Sequence, residues 1–139
     1  MSYCTLQELI DRFSEQELIQ LADRDNDGVI DVAVVDRAIA DADGEIDGYL
    51  SSRYAAPITP VPKSITRIAC DMSRYYLYDD LAPEQVTKRY NDAVKFLIGV
   101  AKGDISIGIT ALGAKPSSQN TAQMQTGGNV FNRNDKSFI

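Results

Sequence analysis

Residues 21–54 read LADRDNDGVIDVAVVDRAIADADGEIDGYLSSRY, and two competing patterns in this stretch decide the fold. Asp23, Asp25, Asp27, Gly28, Ile30 and Asp31 fit the opening positions of an EF-hand calcium loop. Such a loop closes its coordination sphere with a bidentate Glu at its twelfth position, and here that position is Val34. A second partial match, Asp41, Asp43, Gly44, Ile46 and Asp47, would place apolar Ile39 and Leu50 at its first and last positions. Those two residues belong instead to a seam in which Val35, Ile39, Ala42, Ile46, Tyr49 and Arg53 are spaced 4, 3, 4, 3 and 4 apart, with Leu50 beside them. This spacing predicts one long helix. Asp31 is its N-cap, and the run before it is a turn, where Asp and Asn bond nearby backbone and Gly takes a positive φ. Asp23, Asp25, Asp27 and Asp31 still leave room for a weak, water-completed cation. A small calcium-binding interaction module is therefore the alternative function that this stretch supports.

The helix has opponents. Gly44 and Gly48 cost about 1 kcal/mol each in a helix interior. The like-charge pairs Asp41/Glu45 and Asp43/Asp47 subtract a few tenths more. A helix so composed needs something to pack against. Before it, Thr5-Leu6-Gln7-Glu8 and Ser14-Glu15-Gln16-Glu17 fit the capping box, in which hydroxyl and carboxylate satisfy each other's backbone donors. They predict two short helices, with Leu6, Ile10 and Phe13 on one face of the first and Leu18, Leu21 and Ala22 on the second. After it, three prolines in AAPITPVPK (residues 55–63) exclude helix. Ser64 is the expected cap of a fourth helix with Ile65, Ile68, Ala69, Met72 and Tyr76 inward. Pro83 opens a fifth with Val86, Tyr90, Val94, Leu97 and Ala101 inward, and Gly103 is its C-terminal cap. ISIGI (residues 105–109) reads as one short strand, which would need a partner strand from another chain.

Composition narrows the function. The 139 residues suit one domain with a real core. No apolar run approaches the roughly 18–20 residues of a membrane span, and the N-terminus lacks the pattern of a secretory signal. Cys4 and Cys70 are the only cysteines, and they read as free thiols in a reducing compartment. Histidine is absent, which removes Ser–His and Cys–His nucleophiles and most transition-metal sites. A carboxylate enzyme built on Asp23, Asp25 and Asp31 has no recognisable partner base, so no catalytic residue and no cofactor is expected. Acid is concentrated early: residues 1–54 carry a net −9, residues 55–103 +2 and residues 104–139 +1. No basic stripe tracks phosphates. RYYLY (residues 74–78) tempts a base-stacking reading near Arg67, but core packing with wetted hydroxyls is the default.

From about Ala111 the chain is rich in Ser, Gln, Asn, Thr and Gly, a composition expected to be flexible alone. Yet it ends in NVFNRNDKSFI, residues 129–139. Val130, Phe131, Arg133, Phe138 and Ile139 then read either as anchors that order on a partner or as stray residues of a disordered tail. The sequence thus predicts a mainly α fold, a small bundle of four to five helices with a short strand or extended segment and a flexible C-terminal tail. The bundle is placed at residues 1–104 and the extended segment at 105–139.

Residues 21–54, PITPVPKSITRIACDMSRYYLY (57–78) and RYNDAVKFLIGVAKGDISIG (89–108) together resemble the Mu-type phage proteins of the neck. A looser echo follows in VFNRNDKSFI (130–139). The resemblance implies a structural head–tail adaptor in the virion neck, a homo-oligomeric, typically dodecameric ring beneath the portal. Its implied partners are the portal protein, the next neck or tail completion protein, and DNA passing without sequence-specific binding. It also implies that the C-terminal extension docks on the portal. The acidic first third would then line the channel or form an interface, with Asp36, Asp41 and Asp47 as the candidate residues; the plainer reading is a solvated helix face.

Overall fold

A computed structural model describes residues 2–109. Five helices make up the described chain: α1 (Leu6–Phe13), α2 (Glu15–Ala22), α3 (Val32–Leu50), α4 (Lys63–Tyr78) and α5 (Glu84–Lys102), with a short 3-10 turn at Asp79–Leu81. α4 is central. It packs against α3 on one side and α5 on the other, while the α1–α2 pair contacts both α3 and α4. Among the described residues there is no strand.

The first two helices form for the reasons their caps predict. Thr5 accepts a hydrogen bond from the Glu8 N–H at 3.2 Å, and Ser14 accepts one from the Glu17 N–H at 3.3 Å. Ser14 also ends α1, its own N–H reaching the Ile10 carbonyl at 2.9 Å, so one residue closes one helix and opens the next. The capping box at Ser14 is only half made, because the Glu17 carboxylate turns away to Arg74. Leu9 is fully buried on α1, with Leu6, Ile10 and Phe13 flanking it at the edge of the core.

α3 is continuous through both glycines. Val35, Ala42, Ile46 and Leu50 are fully buried and Ile39 nearly so, as the 4-3 spacing requires. Tyr49 is half-buried, and the helix ends at Leu50, leaving Arg53 in the following turn. The acidic pairs are tolerated because three of the four carboxylates are occupied: Asp43 and Asp47 by Tyr3, and Glu45 by Tyr76 and Tyr90.

Two predictions about the later helices are corrected. α4 begins at Lys63 behind Pro62, whose carbonyl accepts from Ile65 and Thr66 at 3.0 and 3.1 Å. Ser64 is therefore inside the first turn rather than capping it. Pro62 holds the extended backbone of an N-cap without offering a side-chain acceptor. On α5 the buried face is Val86, Ala93, Leu97 and Val100, with Tyr90 half-buried. Val94 and Ala101 flank it, since positions 93 and 100, not 94 and 101, continue the 4-3 rhythm from 86 and 90.

ISIGI is not a strand. Gly103 takes a left-handed conformation at φ 90°, and the N–H groups of Asp104 and Ile105 return to the Gly99 carbonyl at 2.9 and 3.2 Å. This Schellman-type closure folds Ile105 back over Gly99, where an added Cβ would meet Ile105 Cδ1 at 2.6 Å. Ile107 is buried and Ile109 packs at the edge of the core. The segment covers the end of the bundle, and a lone strand without a neighbour has no reason to form.

Candidate interaction surfaces

The aspartate-rich turn is held by its own backbone. Asp23 accepts from the N–H groups of Asp27 and Gly28 at 3.1 and 2.8 Å, Asp27 from Val29 at 3.1 Å, and Asp31 from Ala33 at 3.2 Å. These bonds, the Gly28 one foremost, hold the Asp23 carboxyl below the usual carboxylate range. Asn26 and Gly28 supply the positive φ angles, 61° and 82°. The carboxylates are thus engaged as turn-makers. Asp25 alone points to solvent with no bond among the described residues.

Tyr3 clasps the N-terminal segment to α3. Its ring is buried, its N–H donates to Asp43 at 3.1 Å and its hydroxyl donates to Asp47. The same hydroxyl accepts from the buried Ile58 N–H at 2.8 Å, tying in the proline-rich connection, where the Ala56–Pro57 and Thr59–Pro60 bonds are cis. Burial, then the bond to Asp47, pushes the Tyr3 phenol up to about 12. A phenol raised in the folded state contributes stability below its unfolded pKa of about 10, and that contribution is lost as pH climbs to the folded value. Stability should therefore decline between pH 10 and about 12, beyond the loss shown by a Tyr3→Phe variant. Urea midpoints across that range, read beside phenolate absorbance, check it. Next to Tyr3, Cys4 and Cys70 are buried free thiols with sulfurs 2.9 Å apart, and their hydrogen bond and burial push the Cys4 thiol up.

A second polar cluster joins α3, α4 and α5. Glu45 accepts from the Tyr76 hydroxyl and from Tyr90 at 2.9 and 3.1 Å. Tyr75 stacks on Tyr90 with centroids 4.1 Å apart and rings 14° from parallel, and Tyr76 meets both edge-on at 6.0 Å. Tyr78 leaves this group and donates to Glu17 at 3.2 Å. Of the RYYLY tyrosines, Tyr76 packs at the edge of the core and Tyr75 on the Tyr90 ring, and the hydroxyls of Tyr76 and Tyr78 are bonded to carboxylates rather than simply wetted.

A third surface was not foreseen. Arg12 from α1, Arg67 and Asp71 from α4, and Arg89 and Asp92 from α5 line a cleft of about 410 Å³ against Phe13. The buried Asp71 carboxylate lies 3.5 Å from both Arg67 and Arg89, whose side chains are 56% and 58% exposed. Burial, opposed by these two guanidiniums, nonetheless raises the Asp71 carboxyl, so keeping it ionised costs the fold. Asp92 is balanced by Lys88 at 2.9 Å. Arg74 differs from its neighbours. It makes a two-pronged pair with Glu17 at 2.7 and 3.1 Å and lies 4.3 Å over the Phe13 ring.

Of the residues picked out as channel or interface candidates, Asp36 and Asp41 are exposed on α3, and Asp47 is half-buried under Tyr3. At about 100° per residue, Asp36 and Asp47 project in nearly the same direction and Asp41 well away from both. Asp41 shares a different cleft with Arg24, Arg37 and Tyr76. Val130, Phe131, Arg133, Phe138 and Ile139 lie outside the described residues. No described helix is long and apolar enough to cross a membrane, and among the described residues no group of three or more metal-ligating side chains converges.

What this fold presents is a small helical body closed by internal polar clasps, with charged clefts on its outside. The chain belongs to the family described as Bacteriophage Mu, Gp36, whose model matches residues 3–126. It is 36% identical over 141 residues to "Gene product J" of Escherichia phage Mu, covering all of both chains. It is also 36% identical over 138 residues to "Mu-like prophage FluMu protein gp36" of Haemophilus influenzae, covering 99% of this chain and 98% of that one.

Proposed function

We propose that the protein is a structural head–tail adaptor of a Mu-type phage: a ring beneath the portal that extends the DNA channel and links head to tail. The observation that carries this reading is the end-to-end match to a phage Mu gene product, in a chain whose motifs resemble neck proteins along most of its length. The physical organisation supports it. The described residues close on themselves through the α3–α4–α5 core and the Tyr3 and Glu45 clusters, so partners must be met by surfaces and by the chain beyond residue 109. A ring subunit needs two different faces for its neighbours, and charge is already segregated along this sequence.

The role given to Val130, Phe131, Arg133, Phe138 and Ile139 is docking on the portal. The chain, and a version truncated after Gly113, would each be mixed with purified portal rings of the same phage and imaged in negative stain. The full-length chain is expected to add a ring at the narrow end and the truncated one to leave the portal bare. Portals left bare by both would overturn the adaptor reading. Equal docking by both would overturn the role of the tail.

A further inference from the structure

We propose that the cleft between α1, α4 and α5 is the acceptor half of a subunit–subunit contact, which takes carboxylates from the aspartate-rich edge of a second copy of this chain. The inference rests on the ring reading above and gives it an interface.

The cleft has the chemistry of a carboxylate receptor. Arg12, Arg67 and Arg89 come from three different helices and converge on one concavity. Arg67 and Arg89 each give a single long contact, 3.5 Å, to a carboxylate between them that is only 6% exposed, while their own side chains remain more than half exposed. A guanidinium carries five N–H donors in a planar fork. Most of the donors on these two residues are left to face outward, and Arg12 has no carboxylate partner among the described residues. Arg74 shows how an arginine looks when its work is internal, with both prongs on Glu17 and its face on Phe13. Asp71 draws the two exposed guanidiniums to one point of the cleft without using up their donors, which leaves them free for an incoming planar anion.

The same chain supplies that anion. Among the described residues, most carboxylates of the acidic first third are held internally, by Tyr3, by Tyr76 and Tyr90, by Arg74, or by the backbone of the turn and the α3 cap. Asp25, Asp36 and Asp41 are exposed and accept no hydrogen bond there, and the same is true of Glu15 on α2. The three aspartates belong to residues 23–41, which carry six aspartates and two arginines, and Asp36 and Asp41 leave α3 about 140° apart, so the donor surface wraps this part of the chain rather than lying on one helix face. The cleft beside Asp41 shares no residue with the arginine cleft, so donor and acceptor are separate surfaces. A contact between different patches is heterologous, and where its rotation closes on itself it makes a ring. A nucleic-acid phosphate would suit the same forks, but it would have to approach a chain of net charge −6.

The test uses two full-length variants and sedimentation velocity at low and high salt. The cleft variant carries Arg12→Glu, Asp71→Asn and Arg89→Glu, the asparagine sparing the new glutamate a buried like charge. The edge variant carries Asp25→Lys, Asp36→Lys and Asp41→Lys. Wild type is expected to self-associate at low salt and to weaken about tenfold or more at high salt. Each variant alone should stay monomeric, and an equimolar mixture should assemble, because the reversed cleft then meets the reversed edge. Variants that assemble as wild type does, a mixture of folded variants that stays monomeric, or a wild type monomeric throughout would each overturn the proposal. Should the cleft variant fail to fold, Arg12→Glu alone must still weaken association several-fold, since Arg12 has no bond to lose among the described residues. If Arg12→Glu instead abolishes a shift of short duplex DNA and leaves association intact, the cleft is a phosphate receptor and the proposal falls. Portal docking is scored separately. Wild type that docks on portals without self-associating sinks this contact alone, whereas association rescued by mixing, without docking, sinks the neck placement alone.

Discussion

Replacing Tyr3 with alanine is expected to cost the fold about 4–6 kcal/mol, the loss of a buried aromatic side chain plus a hydroxyl that serves two partners. Against a typical domain stability of about 5–15 kcal/mol this is enough to leave much of the chain unfolded. The ring is 2% exposed, so its removal leaves a cavity between the N-terminal segment and α3. Tyr3→Phe separates the two contributions. It keeps the ring but leaves the buried Ile58 N–H without an acceptor and Asp47 without its donor, and should cost about 1–3 kcal/mol. Urea titrations of the three proteins at neutral pH, extrapolated to water, give both figures. A Tyr3→Phe protein as stable as wild type would show that the hydroxyl clasp contributes nothing, and equal losses for Phe and Ala would show that the ring does not.

Tyr3 also shows what a sequence hides. The residue sits in MSYCTLQELIDRF, where nothing in the local pattern marks it as buried, and its partners lie 40, 44 and 55 residues away. By contrast, the α3 seam was legible because a 4-3 repeat over five positions overrides two glycines and two repulsive pairs. The caps at Thr5, Ser14, Asp31 and Gly103 were legible because their chemistry is local. The errors also have local causes. Val94 and Ala101 read as the α5 core because a 3.6-residue period lies between steps of three and four, so from Tyr90 the positions 93 and 94 fall on either side of one direction and only the packing decides between them. Ser64 reads as a cap because its hydroxyl is a good acceptor, but Pro62, two residues earlier, sets the extended backbone of the N-cap.

The arginine cleft was illegible for a different reason. Arg12, Arg67 and Arg89 fall in segments of unlike charge, and only the packing of α1 and α5 around α4 brings them together. One signal was available. Asp71 lies on the apolar side of α4, between Ile68, Met72 and Ala69, and a buried carboxylate demands cationic partners. Arg67, one turn earlier, is the obvious one, and Arg89 could be found only from the fold. In the turn at residues 23–31 the twelfth position holds no Glu, and Asp23, Asp27 and Asp31 find their partners in the backbone while Asp25 makes no bond among the described residues.

Glu45 provides the second large effect. Glu45→Ala should lower stability by about 2 kcal/mol, because the carboxylate accepts from two phenols on two different helices, and hydrogen bonds to charged groups are the stronger kind. The figure stays below the sum of two such bonds for two reasons. The phenols are only half-buried, so water takes up part of the vacated acceptor role, and removing Glu45 relieves its repulsion with Asp41 one turn away, a few tenths of a kcal/mol in the variant's favour. Glu45→Gln keeps one acceptor oxygen and should lose about half as much. Tyr90→Phe removes one donor while keeping the stack on Tyr75, so the double variant Glu45→Ala, Tyr90→Phe should lose less than the two single losses together, by about 1 kcal/mol. Urea midpoints for wild type, the two single variants and the double variant close that cycle. Strict additivity would mean that Tyr90 and Glu45 do not act on each other, and α3 and α5 would then be joined by apolar contact alone.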